Sequence, residues 1–244
     1  MSALPALPQP AVADQGVALA RLHAFSFLPS RHWHPARVAP WQDELQALGT
    51  LAQQPALQRV LHRRWSARLL TQFDGAQTGL MDLSEPALPL ALAEPGVLAQ
   101  VARLAGALLV APFLRRSVLR SAVLALREVF GADTLRWVCM QGAALHPGVA
   151  DARPWLPQGL AAEDAGADDW QRVADALGAG LLAQAWQDAP PGLRQRADIR
   201  LPPEADDPAT RAASGLPPAA ARGLSLQLLA RLEPTWLSLF PATR

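Results

Sequence analysis

Between Glu94 and Gln141 three apolar stripes follow one another at helical spacing, and this block limits what the chain can fold into more than any other. Val97, Val101, Leu104, Leu108 and Val110 predict one helical stretch, interrupted by Pro112. Leu119, Ala122, Val123, Leu126 and Phe130 predict a second helix that Gly131 can end. Asp133 can then cap a third, carrying Leu135, Val138 and Cys139. Leu104 to Leu114 is the most apolar run of the chain, flanked by Arg103 and Arg115-Arg116. It is shorter than the roughly 20 residues needed to span a bilayer, so it is expected to be buried core.

Similar punctuation marks helices elsewhere. Pro40 suits a first helical position, and Trp41, Leu45 and Leu48 share a face until Gly49. A longer helix starts at about Pro55, with Leu57, Val60, Leu61, Trp65, Leu69 and Phe73 on one side and Arg59, Arg63, Arg64 and Arg68 on the rest. Residues 74–83 read as a turn-rich break. Asp168-Asp169 open a helix with the acidic first turn that the macrodipole favours, and Trp170, Val173, Leu177 and Leu181 form its stripe. Inside it, Gly178-Ala179-Gly180 allows close packing by another helix. The last helix runs from Pro218 to Leu239 through Leu224, Leu228, Leu232 and Trp236, with a kink allowed at Pro234.

Two short segments alternate instead. Leu22, Ala24, Phe25 and Phe27 lead to Pro29, and Ala197 to Leu201 ends at Pro202-Pro203, so residues 22–27 and 197–201 can pair as a small two-stranded β ribbon. Residues 1–14, rich in Pro and Ala, read as a disordered tail. The stretches 143–167 and 202–217 read as exposed loops. The expectation is a mainly α protein, a single irregular helical domain over residues 15–244.

A chain of 244 residues buries about 70% of its unfolded surface and needs no disulfide or metal to hold a core. Its 50% hydrophobic content and mean hydropathy of +0.08 fit a globular protein. All 22 basic residues are Arg, which suits phosphate recognition, but 21 acidic residues cancel them to a net charge of +1. A nucleic-acid binder usually carries a clear basic excess, and codon usage in a GC-rich genome accounts for the Arg, Ala, Leu, Gly and Pro. No nucleic-acid partner is expected. Cys139 is the only cysteine and lies in an apolar helical pattern, which implies an inert thiol and a reducing, cytoplasmic compartment. Met1 to Pro10 lacks the basic start and apolar core of a signal peptide, and no membrane insertion is expected.

Phe25-Ser26-Phe27-Leu28-Pro29-Ser30-Arg31-His32-Trp33-His34-Pro35 concentrates aromatic and His residues, and it can be a metal site, a docking surface or a structural corner. Zinc needs three or four ligands, whereas His62 and His146 lie on other elements and no acid adjoins His32 and His34. An aromatic corner with Trp33 and Pro35 packed on the domain is favoured. A metal-dependent hydrolase using His32 and His34 is the alternative. There is no Gly-x-Ser-x-Gly, no P-loop and no dinucleotide-binding fingerprint. The acidic pairs Glu163-Asp164, Asp168-Asp169 and Asp206-Asp207 fall in loops and caps. No catalytic residue, metal or cofactor is therefore expected. Arg115-Arg116 with Arg120 is the tightest central basic cluster, either a solvated helix face or a contact for an acidic partner.

Three blocks together resemble the SctK/YscK family, accessory proteins of the bacterial type III secretion sorting platform. The first is Phe25-x-Phe27-x-Pro29 followed by His34. The second is Val101 to Leu109, leading to Leu114-Arg115-Arg116-Ser117-Val118-Leu119 and Asp133-Thr134-Leu135-Arg136. The third is Arg200-Leu201-Pro202 with the closing helix from Leu226 to Phe240. The likeness spans most of residues 20–240. Leu28 stands where some members have Cys, and the tail and two loops are peculiar to this chain. The resemblance implies a non-enzymatic adaptor at the cytoplasmic face of the inner-membrane apparatus. It would link the SctD-type ring component to the SctQ-type platform body, with the SctL-type regulator and SctN-type ATPase further in. Arg115 and Arg116 are then the candidates for an acidic partner face, Trp33 and His34 for a second patch, and Phe25, Phe27 and Pro29 for a structural anchor.

Overall fold

Proline sets where several of the helices begin. The computed structural model describes residues 12–73 and 82–240. In it, Pro55, Pro95, Pro191, Pro208, Pro218 and Pro234 each hold the first position of a helix. There the missing N–H leaves no bond unmade and the fixed φ already suits the helix. The order is α1 (Val12–Phe27), α2 (Gln42–Leu48), α3 (Pro55–Gln72), α4 (Leu88–Ala91), α5 (Pro95–Leu109), α6 (Ala111–Leu114), α7 (Arg120–Phe130), α8 (Ala132–Met140) and α9 (Gly142–Leu145). It continues with α10 (Ala167–Ala185), α11 (Pro191–Asp198), α12 (Pro208–Ala212), α13 (Pro218–Leu232) and α14 (Pro234–Leu237). The fold is mainly α, with no strand among the described residues.

The centre is the pair α5 and α10. A Cβ on Gly106 would lie 1.7 Å from the Ala174 carbonyl oxygen, and one on Gly178 would lie 1.9 Å from that of Ala102. Because 102 meets 178 while 106 meets 174, the helices run antiparallel with their backbones touching. Val101, Leu108 and Leu109 of α5, Val173, Leu177 and Leu181 of α10, and Leu228 of α13 are fully enclosed around this contact. Trp186, just past α10, is also enclosed and donates its indole N–H to Asp198 Oδ1 at 2.8 Å. The stripes expected on these helices are therefore in place, as are the breaks at Pro112 and Pro234. Gly131, at φ +82°, ends α7 in a conformation that L side chains rarely adopt.

A smaller cluster lies under the N-terminal segment. Trp41, Leu61 and Trp65 form its centre, with Trp33, Val38, Leu45, Leu48 and Leu57 around them. Trp33 meets Trp41 edge-on at 5.7 Å, and Trp41 meets Trp65 at 5.4 Å. Ser30 fastens this segment to α3: its hydroxyl lies 2.9 Å from the His62 carbonyl and 2.8 Å from Ser66 Oγ.

The two-stranded ribbon is corrected. Residues 22–27 end α1 and residues 197–198 end α11. Ala18, Leu22 and Phe25 form an apolar helical face whose length exceeds the window in which alternation suggested a strand. Residues beside the two segments nevertheless tie them to one region: Arg196 Nε donates to the Ser26 carbonyl, and His34 N–H to that of Ile199 at 2.9 Å.

Both loops are more buried than expected. His146, Val149, Ala152 and Leu156 are buried within 143–167, and Ala205, Thr210 and Ser214 within 202–217. His146 joins the two, accepting from Gly148 N–H through Nδ1 at 2.9 Å and reaching the Ser214 carbonyl through Nε2 at 3.0 Å. Conversely, Val60 and Leu119 are exposed. Leu119 precedes the first turn of α7 instead of lying on its stripe, and the buried face of α3 follows Leu61, Trp65 and Leu69. Of the expected tail, residues 1–11 lie outside the described residues, while 12–14 already belong to α1. The expected break at 74–83 falls outside them except for 82–83.

Candidate partner-binding surfaces

His32, Trp33, His34 and Pro35 line a cleft of about 980 Å³ together with α5, α10 and the chain around Leu201 to Thr210. The segment is held there by backbone and guanidinium contacts. Arg37 donates from Nε to the Leu201 carbonyl at 2.7 Å and binds both oxygens of Asp206 at 2.8 Å. Ala99 and Ala102 of α5 and Ala176 and Ala179 of α10 supply small side chains, and Trp33 and Trp155 supply large ones. Trp155 is fixed by its indole N–H, 3.0 Å from Thr210 Oγ1.

Arg200 is the most deeply placed charge in the cleft wall, only 6% exposed. Its guanidinium donates to the carbonyls of Ala91 and Ala93, closing the end of α4. Its Nε, also buried, has no hydrogen-bond partner among the described residues, and neither has Nε2 of His32. Burial lowers the Arg200 pKa to about 10, Glu94 opposing and Arg21 adding to the effect. Burial also lowers the His32 imidazole to about 4, and Arg200, Arg31, His62 and Arg21 act in the same direction. His34 is lowered by burial and Arg37 against the pull of Glu204. Across the cleft, burial raises the Asp175 carboxyl while Arg103 opposes it.

Among the described residues, no group of three His, Cys, Asp or Glu side chains is gathered to hold a metal. His32 and His34 are neighbours in the cleft wall, but His62 turns its Nδ1 to Ser30 Oγ and His146 serves the two loops. Phe25 is enclosed at the end of α1, its ring 6.5 Å from that of His32, while Phe27 lies 5.0 Å from His23. Pro29 opens the short turn Pro29–His32 that carries the chain to the cleft.

Arg115 and Arg116 belong to a different surface, at the end of α6. Arg115 donates to the carbonyls of Cys139 and Val138, both at 3.1 Å, and so caps α8. The Cys139 thiol beside it is half-buried, its pKa raised by burial against the effect of Arg115. Arg116 instead lies over the Phe113 ring at 5.6 Å, and Phe113 stacks on Trp170. The same stretch exposes Val118 (84%) and Leu119 (70%), and Met140 ends α8 at 79% exposed. Sequence reasoning singled out the two Arg but placed Leu119 in the core. It also missed Arg200 and Trp155 as cleft residues. The one local signal was an Arg alternating with Ile199 and Leu201.

Among the described residues, no helix is long and apolar enough to cross a membrane. Compared with family models, curated proteins and solved structures, the chain matches none.

Proposed function

We propose that this protein is a non-enzymatic adaptor of the bacterial type III secretion sorting platform, acting at the cytoplasmic face of the inner membrane. In this reading it joins the SctD-type ring component to the SctQ-type platform body and, through that body, to the SctL-type regulator and SctN-type ATPase. The observation that carries the reading is the surface at the junction of α6, α7 and α8. There Val118 and Leu119 stand in solvent between Arg116 and Arg120 in the chain, and Met140 is exposed at the end of α8, which Arg115 caps. Apolar side chains rimmed by guanidinium groups are what a protein interface uses as anchors. The cleft at Trp33 and His34 offers the second, separate surface that a linker requires. The three-block resemblance supplies the identity of the partners.

Charge reversal at Arg116 and Arg120 tests this. Both side chains are exposed and leave the α8 cap made by Arg115 intact. Co-purification with the ring and platform components should be lost at one partner while the helical circular dichroism is unchanged. Capture of both partners by the variant would rule out this surface.

A further inference from the structure

The cleft owes its shape to the contact between Gly106, Gly178 and the opposing backbones, which draws α5 and α10 together. What remains above them is a trough with alanines from both helices, bounded by Trp33 and Trp155. A trough lined by small side chains lets a peptide backbone approach closely. Its volume of about 980 Å³ stands at the upper end of small-molecule pockets, about 300–1,000 Å³. A small acid would fill a fraction of it, whereas a segment of several residues would occupy it.

The charges of the trough are unevenly compensated. Arg172 is paired with Asp169, Asp207 caps α12, and Arg103 faces Asp175. Glu204 acts on His34, and Glu94 is paired with Arg21 while also acting on Arg200. Arg31 is exposed, and its side chain forms no ion pair or hydrogen bond among the described residues, although its backbone N–H donates to the Leu28 carbonyl. Arg200 keeps a buried Nε without a partner among the described residues, and three guanidinium groups, of Arg200, Arg31 and Arg21, act on His32. The wall of the trough around His32 therefore carries positive charge and a buried donor without an acceptor among the described residues. An unpaired buried donor is unfavourable, and a carboxylate bound nearby would offset that cost.

We propose that this cleft binds an extended acidic peptide segment of a partner protein, its apolar side chains lying in the trough and a carboxylate seated at Arg31 and Arg200. The assignment rests on the adaptor reading for the occupant being a protein. Its test uses the purified full chain alone, so its failure is separable from failure of the co-purification described above.

A displayed library of random peptides, selected on the full-length protein, is the probe. Enriched sequences should carry Asp or Glu flanked by apolar residues. The best synthetic peptide should lose at least about tenfold in affinity on Arg31→Glu, on Ala99→Trp, or on replacing its acid by the amide, the scale of one charge-assisted contact. Ala99 and Arg31 are both exposed, so neither substitution should disturb folding. In the complex, the His32 ring signals in NMR should titrate at higher pH than in the free protein. The proposal is overturned if nothing is enriched relative to the Ala99→Trp protein. It is equally overturned if binding ignores both Arg31→Glu and the acid-to-amide change, or if octanoate or indole-3-acetate occupies the cleft while no peptide does.

Discussion

Gly178 lies so close to Ala102 that a Cβ would stand 1.9 Å from the Ala102 carbonyl oxygen. No rotamer relieves this, because the obstacle is backbone. Gly178→Ala should destabilise the protein by about 3 kcal/mol, the upper end for overpacking. Gly223, in α13, meets nothing within 4 Å. There Gly→Ala should stabilise by about 0.5–1 kcal/mol through helix propensity. Urea denaturation of the two variants checks both signs.

Acid should weaken the fold through His32. Its pKa is about 4 when folded and 6.5 ordinarily, so between those values the unfolded chain binds more protons. Stability contributed by the neutral ring is complete above about pH 6.5 and falls as pH drops, reaching a loss of about 3 kcal/mol near pH 4. His34 and His62 are lowered too and add in the same sense. The urea midpoint of His32→Gln, measured from pH 4 to 7, should slope less than that of the parent.

Arg37 should not be replaceable by Lys. Its fork binds both oxygens of Asp206 while Nε reaches the Leu201 carbonyl, a set that a single ammonium cannot match. Both Arg37→Ala and Arg37→Lys should cost about 1–2 kcal/mol. Amide exchange at His34, whose N–H is bonded to the Ile199 carbonyl, should accelerate in both.

Leu126 and Leu119 were expected on one stripe, yet only Leu126 is buried. Leu126→Ala should cost about 2–4 kcal/mol, whereas Leu119→Ser should change stability by less than about 0.5 kcal/mol. Thermal melts distinguish them. Under the adaptor reading, Leu119→Ser should also weaken partner capture.

The central helices were legible because their information is local. Trp170, Val173, Leu177 and Leu181 repeat at helical spacing, and the small triplet Gly178-Ala179-Gly180 announces close packing. Helix α1 was missed because residues 21–29 alternate by chance, while the face set by Ala18, Leu22 and Phe25 needs a longer window. The stretch 143–167 was misread because burial there falls on scattered His146, Val149, Ala152 and Leu156, without a period. The cleft was half legible. His32, Trp33 and His34 stood out as residue types, but Trp155, Asp175 and Arg200 converge from separate parts of the chain. No spacing encodes that meeting. Arg115 drew notice as a surface charge, and its main contact proved to be the end of α8.

One imidazole spans two irregular segments: His146 accepts from Gly148 and reaches the Ser214 carbonyl. His146 and Ser214 are sixty-eight residues apart in the chain, and the Trp155 indole, bonded to Thr210 Oγ1, fastens the same two segments again. They should open as a single cooperative unit below the global unfolding energy. A protease that cuts near Gly148 would then find the chain around Ser214 released as well, so two sites distant in sequence would be nicked on one timescale.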